Sequence, residues 1–207
     1  MNNTPKNFYV LYPKDKKIKD TLNAIKILSD NSQRTAAHIT VRGPYSKKLT
    51  KSTVDAYSKD IANTSLHFSE VANFFDCGQN TVFFKCDDNE KLRKIWKKTG
   101  YKDFKPHITL YNGTDEVFAK KLFERLQQNF KSFDFKVDRL SFLESKSSDD
   151  MDFYRQRLKQ DLVNYECFKD ILDVDMDKEK IKTIDEYRKL NYISKFNAQL
   201  YKNEADR

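Results

Sequence analysis

Cysteine is scarce in this chain. The three that occur, Cys77, Cys86 and Cys167, form no CxxC pair and no Cys/His cluster. That argues against a thiolate zinc site and against a disulfide framework, and it makes free thiols in a reduced, cytoplasmic setting the expectation. Long apolar runs are missing too. Residues 1–30 hold no stretch of secretory-leader length, and nothing later approaches the ~20 apolar residues of a membrane span. The run Asp173-Val174-Asp175-Met176-Asp177 has the alternating acids of a calcium loop. However, Lys178 stands where that loop needs glycine and Ile184 where it needs glutamate, so the loop is rejected. Neither a metal nor a cofactor is expected.

What the chain does have is charge and aromatic bulk. Charged residues make up 34% of its 207 positions, yet aromatics reach 14%, with 16 Phe and 11 Tyr. A disordered chain lacks such apolar groups to offset the entropy of ordering, so a folded core is expected. The formal net charge is +8, and its distribution is uneven. Residues 146–207 carry 13 Lys+Arg against 14 Asp+Glu, which leaves 26 against 17 in residues 1–145. The whole positive excess therefore lies in the first part. A basic domain suits anionic partners such as nucleotides or RNA, although the same charge also serves solubility.

Periodicity sketches the elements. Residues 8–12, 37–41, 66–75, 81–86, 106–111 and 133–143 read as strands, with stops at Pro13, Gly43-Pro44 and Asn112-Gly113. Residues 18–28, 50–62, 89–98 and 115–130 read as helices, Trp96 falling in the third as a core residue. The order is β-α-β-α-β, then β-α-β-α-β, a hint of two similar lobes. This predicts an α+β domain with two facing antiparallel or mixed sheets and outer helices. Residues 145–150 read as a linker. Beyond them, 153–172 and 178–202 read as long, charge-balanced helices. The predicted division is a bilobal domain over 1–146 and a helical extension over 147–207, which is expected to serve dimerisation, partner docking or covering of the cleft.

The chemistry-bearing pattern is a short motif present twice: His38-Ile39-Thr40 and His107-Ile108-Thr109. In a strand, residues i and i+2 share a face, so each motif presents an imidazole beside a hydroxyl. By the same alternation Arg42 should continue the first row and Tyr111 the second. Two such pairs facing one cleft suit in-line displacement at a phosphodiester. A neutral imidazole takes the proton of the attacking hydroxyl, and a protonated one supplies the leaving oxygen. The threonine hydroxyls donate to the non-bridging oxygens, where charge builds. No metal is required. The chain has only three histidines and 12 threonines. Two His–Thr pairs at this spacing would be roughly a one-in-a-hundred accident.

The second motif in its context, Phe104-Lys105-Pro106-His107-Ile108-Thr109-Leu110, closely resembles the F-x-P-H-x-T-L form of the 2H phosphoesterase superfamily, which includes the so-called 2′-5′ RNA ligases and cyclic phosphodiesterases. The first, Ala37-His38-Ile39-Thr40-Val41, is similar to its H-x-T form. The resemblance covers residues 8–144. It implies catalytic roles for His38, Thr40, His107 and Thr109. It also implies a substrate among 2′,3′-cyclic phosphates, 2′-5′ linkages and cyclic nucleotides. Some viral and phage relatives destroy nucleotide signals of host immunity, which offers an alternative setting for such an enzyme.

Around this core, Arg42 is a candidate for phosphate binding, Tyr111 for base stacking or phosphate donation, and Tyr45 for the cleft mouth. Each also has a plain reading as strand packing. Lys85, Lys102 and Lys105 are candidates for added positive potential or plain solvated residues. Glu144 is a candidate for polarising a histidine. His67, with only Ser69 two places on, reads as structural. No H-x-H occurs, so the nucleotide hydrolases built on alternating histidines are not the match. The rival class is a nucleotide- or RNA-binding module that kept the cleft without turnover. In either class the expected partners are a nucleotide, a cyclic oligonucleotide or RNA, with no membrane and with a second copy or a partner protein at the C-terminal helices.

Overall fold

The structure is a computed structural model, and it describes residues 7–29, 35–98 and 103–143. The predicted extension over 147–207, Glu144 and Lys102 lie outside the described residues. Strand β1 (Asn7–Leu11) leads into helix α1 (Lys16–Ser29) and then the first motif strand, β2 (Ile39–Tyr45). Helix α2 (Lys51–Ile61) follows, capped by Thr50, whose hydroxyl accepts the Thr53 N–H. Strands β3 (Thr64–Phe74) and β4 (Gln79–Cys86) form a hairpin closed by a 3₁₀ turn at Phe75–Cys77 and by left-handed Gly78. Asn89 caps the short helix α3 (Glu90–Ile95), which precedes the two-residue β5 (Lys97–Lys98). The second motif strand is β6 (His107–Gly113). Helix α4 (Glu116–Asn129), capped by Asp115, leads to β7 (Phe133–Val137) and β8 (Leu140–Phe142). A short polar side chain at each cap takes up a backbone N–H that the first helical turn leaves unpaired.

Pairing joins the strands into one sheet, in the order β7-β3-β4-β6-β2-β1-β8 with β5 on β2, where two sheets were expected. All the pairings except β2–β5 are antiparallel. The outermost strands β7 and β8 are separated in the chain by only Asp138 and Arg139. An extended chain advances at most about 3.6 Å per residue, so the two edges of the sheet lie within roughly 11 Å of each other there. The sheet is therefore curled back on itself. The Lys14 N–H to Lys136 carbonyl bond (2.8 Å) likewise ties the loop after β1, the strand next to β8, to edge strand β7. The single strand expected over 133–143 is really these two, split because it serves both edges.

The two halves of the sheet meet at β2 and β6 through one registered pair, Ile39 with Ile108. Both isoleucines are fully buried, in a core that also takes Leu22 and Ile25 of α1 and Phe118, Leu122 and Leu126 of α4. Burial of such side chains is the main drive of the fold, at ~1.5–3 kcal/mol each. Strand β2 does not stop at Gly43-Pro44 as expected. It runs to Tyr45, paired with Asn7. Gly43 permits this: its φ is +103°, and a Cβ there would sit 2.5 Å from the Asn7 carbonyl oxygen.

Candidate active site

The two motifs lie side by side at the centre of the sheet. Because β2 and β6 are antiparallel and Ile39 faces Ile108, the same register carried one residue each way sets each histidine against the other motif's threonine. The middle isoleucines point into the core. His38, Thr40, His107 and Thr109, all partly exposed, point to the opposite face, as alternation requires.

Each imidazole is held in the same way. His38 Nδ1 lies 2.7 Å from the carbonyl oxygen of Ala36, and His107 Nδ1 lies 2.7 Å from that of Lys105. A carbonyl only accepts, so Nδ1 carries the proton and donates. That leaves Nε2 of each ring with its lone pair for the cleft. The entry to the first motif is itself fixed by α1, where Asn23 Oδ1 accepts the Ala37 N–H at 2.6 Å and Lys26 Nζ donates to the Thr35 carbonyl at 2.9 Å. Aromatic rings flank both histidines. Tyr12 lies edge-on to His38, while Phe74 and Phe83 stand 5.4 and 4.7 Å from His107.

Burial pushes the His107 imidazole down to about 4, with the Lys98 ammonium adding to the effect against the Lys105 carbonyl. Burial pushes His38 down to about 3, helped by the Lys26 cation, by His107 and by Lys98, with the Ala36 carbonyl opposing. Both rings are therefore neutral at neutral pH. The two histidines are close enough to act on one another electrostatically, and Lys98 acts on both.

A cavity of about 500 Å³ opens on the His107 side, with His107, Thr109, Asn112, Thr81, Trp96 and Lys98 among its walls. Trp96 packs partly on the core, as read from the sequence, and also borders the cavity, while its place in the helix and the role of Lys98 differ from the sequence reading. Helix α3 ends at Ile95, so Trp96 leaves the helical stripe and becomes its C-cap. Lys97–Lys98 then pairs in parallel with Arg42–Gly43 of β2. A two-residue strand has no periodicity to detect, which is why Lys98 was missed.

Arg42 and Tyr111 do not continue the rows. Between Tyr9–Arg42 and Val10–Thr40 the register slips by one at Val41, and between Val82–Tyr111 and Phe83–Thr109 it slips by one at Leu110. Each motif strand therefore bulges at the residue after its threonine. A bulge places an extra residue against one partner and shifts the alternation. The next side chain accordingly turns inward. Arg42 is buried, donates from Nη1 to the Ile95 carbonyl at 2.7 Å and stacks over Tyr57 at 4.1 Å. Tyr111 is buried against Phe118, with its hydroxyl 3.3 Å from the Asp115 N–H. Tyr45 packs beside Tyr9, and its hydroxyl has no hydrogen-bond partner among the described residues. None of the three lines the cavity.

Lys105, which pairs with Asp103, lines the cavity. Lys85 pairs with Glu70 beyond it. His67 bridges β3 and β7 through Asp134 and lies away from the cavity. Among the described residues, no three His, Cys, Asp or Glu side chains gather as a metal-binding group. No helix there is long and apolar enough to cross a membrane.

Comparison with known proteins adds one finding. Residues 13–149 match the family model of the 2′-5′ RNA ligase superfamily. No match was found among curated proteins.

Proposed function

Because the chain belongs to the 2′-5′ RNA ligase superfamily, we propose that it is a metal-independent phosphodiesterase of the 2H kind, acting on a phosphodiester of RNA or of a nucleotide. The observation that carries this is the central pairing of the two His-x-Thr motifs, each imidazole pinned at Nδ1 by a backbone carbonyl. With Nδ1 committed, Nε2 is the reactive nitrogen of both rings. One Nε2 takes the proton of the attacking oxygen, while the other, protonated, delivers one to the leaving oxygen. Thr40 and Thr109 donate to the non-bridging oxygens, and the Lys98 ammonium offsets the charge that accumulates there. His38 faces one cation more than His107 does. This favours His38 as the base and His107 as the acid in cleavage, and the roles exchange in the reverse, ligating direction. A bound phosphodiester brings the negative charge that raises the acid's affinity for its proton.

Substrate choice stays within the set that the motifs imply: a 2′,3′-cyclic phosphate, a 2′-5′ linkage or a cyclic oligonucleotide. The division into a catalytic domain (1–146) and a helical extension (147–207) belongs to the same proposal. So do a cytoplasmic setting and a partner or second copy at the extension. The test is turnover of a panel of 2′,3′-cyclic nucleotides, 2′-5′ oligoadenylates and cyclic di- and trinucleotides in EDTA. Turnover that is lost in His38→Ala and in His107→Ala is expected. Full activity in either variant, or no turnover by the wild type, sinks the reading. Tight binding without turnover would instead mark a binding module. Removal of 147–207 is expected to change oligomeric state, stability or activity, and no change in any of them removes the proposed role of the extension.

A further inference from the structure

The cavity beside His107 is graded along β6. Its charged walls stand where that strand begins. Asp103 and Lys105 precede His107 in the chain, and Lys98 pairs with Gly43, at the end of β2 that antiparallel pairing sets against the start of β6. Where β6 ends, the walls change character. Thr81 pairs with Asn112 there, and Gln79 lies two residues before Thr81 on β4, on the same face. All three line the cavity, and all three are neutral hydrogen-bonding side chains. The first end suits a phosphate, whereas the second suits an uncharged group with polar edges.

The bulge at Leu110 is what brings Asn112 to this face. It turns Tyr111 inward, and the following residue, Asn112, is exposed and takes the place that Tyr111 would have held. Three steps of β6, from Thr109 to Asn112, lie opposite two steps of β4, from Phe83 to Thr81. At ~3.3 Å per strand residue, Asn112 therefore stands about 7 Å beyond Thr109. That is the step a ribose makes between its phosphate and its base. The Asn112 amide is also held. Thr81 is buried and donates its hydroxyl to Asn112 Oδ1 at 2.9 Å. With Oδ1 turned towards β4, the side chain offers the cavity the N–H groups of Nδ2. Such a donor pairs with an acceptor and leaves an opposing donor unsatisfied.

We infer that Asn112, set by Thr81, reads the base next to the reacting phosphate. It selects a base that presents a carbonyl oxygen, as uracil and guanine do, over one that presents an amino group at the same place, as cytosine and adenine do. This rests on the phosphodiester site proposed above and names a specificity-determining residue for it. The phosphate sits against His107 and Thr109, the ribose spans the step along β6, and the base meets the Asn112 amide at the uncharged end.

Trp96 is the chain's one tryptophan and borders the cavity, so its fluorescence follows binding. The probes are nucleoside 2′- and 3′-monophosphates, which carry a phosphate and a base but no phosphodiester to cleave, titrated into the full chain. The uridine compounds are expected to bind about tenfold tighter than the cytidine ones, and the guanosine than the adenosine, the worth of one hydrogen bond made against one donor left unpaired. Asn112→Asp replaces the donor by an acceptor of the same shape, and it is expected to reverse both ratios whatever its charge does to affinity overall. Thr81→Val frees the amide to turn and is expected to bring both ratios close to one. Asn112 is exposed, so Asn112→Asp keeps the test valid if the buried Thr81 variant unfolds. Equal binding within each pair, preference for the amino base, binding of none, or ratios unmoved by Asn112→Asp overturns the inference. Ratios unmoved in a folded Thr81→Val protein overturn the part given to Thr81. A base preference without turnover of any phosphodiester would uphold the base site and sink the catalytic reading. Turnover with equal binding would do the reverse.

Discussion

Around His38, a carbonyl two residues back fixes the ring, the next residue but one is threonine, and the strand bulges immediately after it. Around His107 the same three features recur in the same order. The surroundings then part company. His38 has Tyr12 at its edge and the buried Lys26 in its field, whereas His107 has Phe74 and Phe83 beside it and a cavity before it. In the proposed reaction the repeated features serve proton transfer, which needs two imidazoles, and the differing surroundings distinguish the roles of the two rings.

The sharpest way to break this comparison is to remove each histidine in turn. His38→Ala and His107→Ala are each expected to lower kcat about 10³-fold, the usual worth of a positioned acid or base. The double variant should fall little further, because the pair acts as a unit. A tenfold or larger gap between the two single variants would mean that one half carries the chemistry alone.

The second effect is on stability. The His107 pKa in the fold, about 4, lies below its ordinary 6.5. The unfolded chain therefore binds more protons between those values. The stability from keeping the ring neutral is complete above pH 6.5 and is lost as pH falls towards 4. The full loss is on the order of 3 kcal/mol. His38 acts in the same direction, its window reaching down to about 3. Urea melts of wild type and His107→Gln across pH 7 to 4 check this. An equally steep acid slope in the variant would contradict it.

Third, Thr40→Val and Thr109→Val keep shape but delete the hydroxyl. Each is expected to cost about 10²-fold in kcat, as for the loss of one donor to a developing oxyanion. A rise in KM alone would instead assign the threonines to ground-state binding.

The smallest effects belong to the pair turned inward by the bulges. Arg42→Met should destabilise the fold by about 2 kcal/mol, through the lost bond to Ile95 and the lost stacking on Tyr57, with kcat per folded molecule kept within about twofold. Tyr111→Phe, which loses the hydroxyl's contacts of 3.3 and 3.5 Å to Asp115, should cost under about 1 kcal/mol. Substrate KM rising tenfold in either variant would return that residue to the cleft.

These inward-turned residues show where the sequence stopped being legible. The motif strands, the four helices and the α+β class could be read because periodicity and caps are local signals. Val41 and Leu110 look like ordinary members of an alternating strand. Nothing in their side chains announces a bulge, because a bulge is decided by the partner strand. One slipped residue moved Arg42 and Tyr111 to the wrong face of the prediction. Lys98 was hidden for a related reason, since β5 exists only through its pairing with β2. The curl of the sheet was equally out of reach. Residues 133–143 read as one strand, and only long-range pairing shows that β7 and β8 close opposite edges.

The carbonyls of Ala36 and Lys105 have one further consequence. Point substitution changes side chains and leaves carbonyls in place. A histidine oriented by a neighbouring aspartate loses its orientation when that aspartate is replaced, but here the orienting atom survives exchange of the residue that carries it. The residues that carry these carbonyls already differ within this chain, with alanine at 36 and lysine at 105. The tautomer of both histidines therefore depends on the course of the backbone rather than on the side chains at 36 and 105.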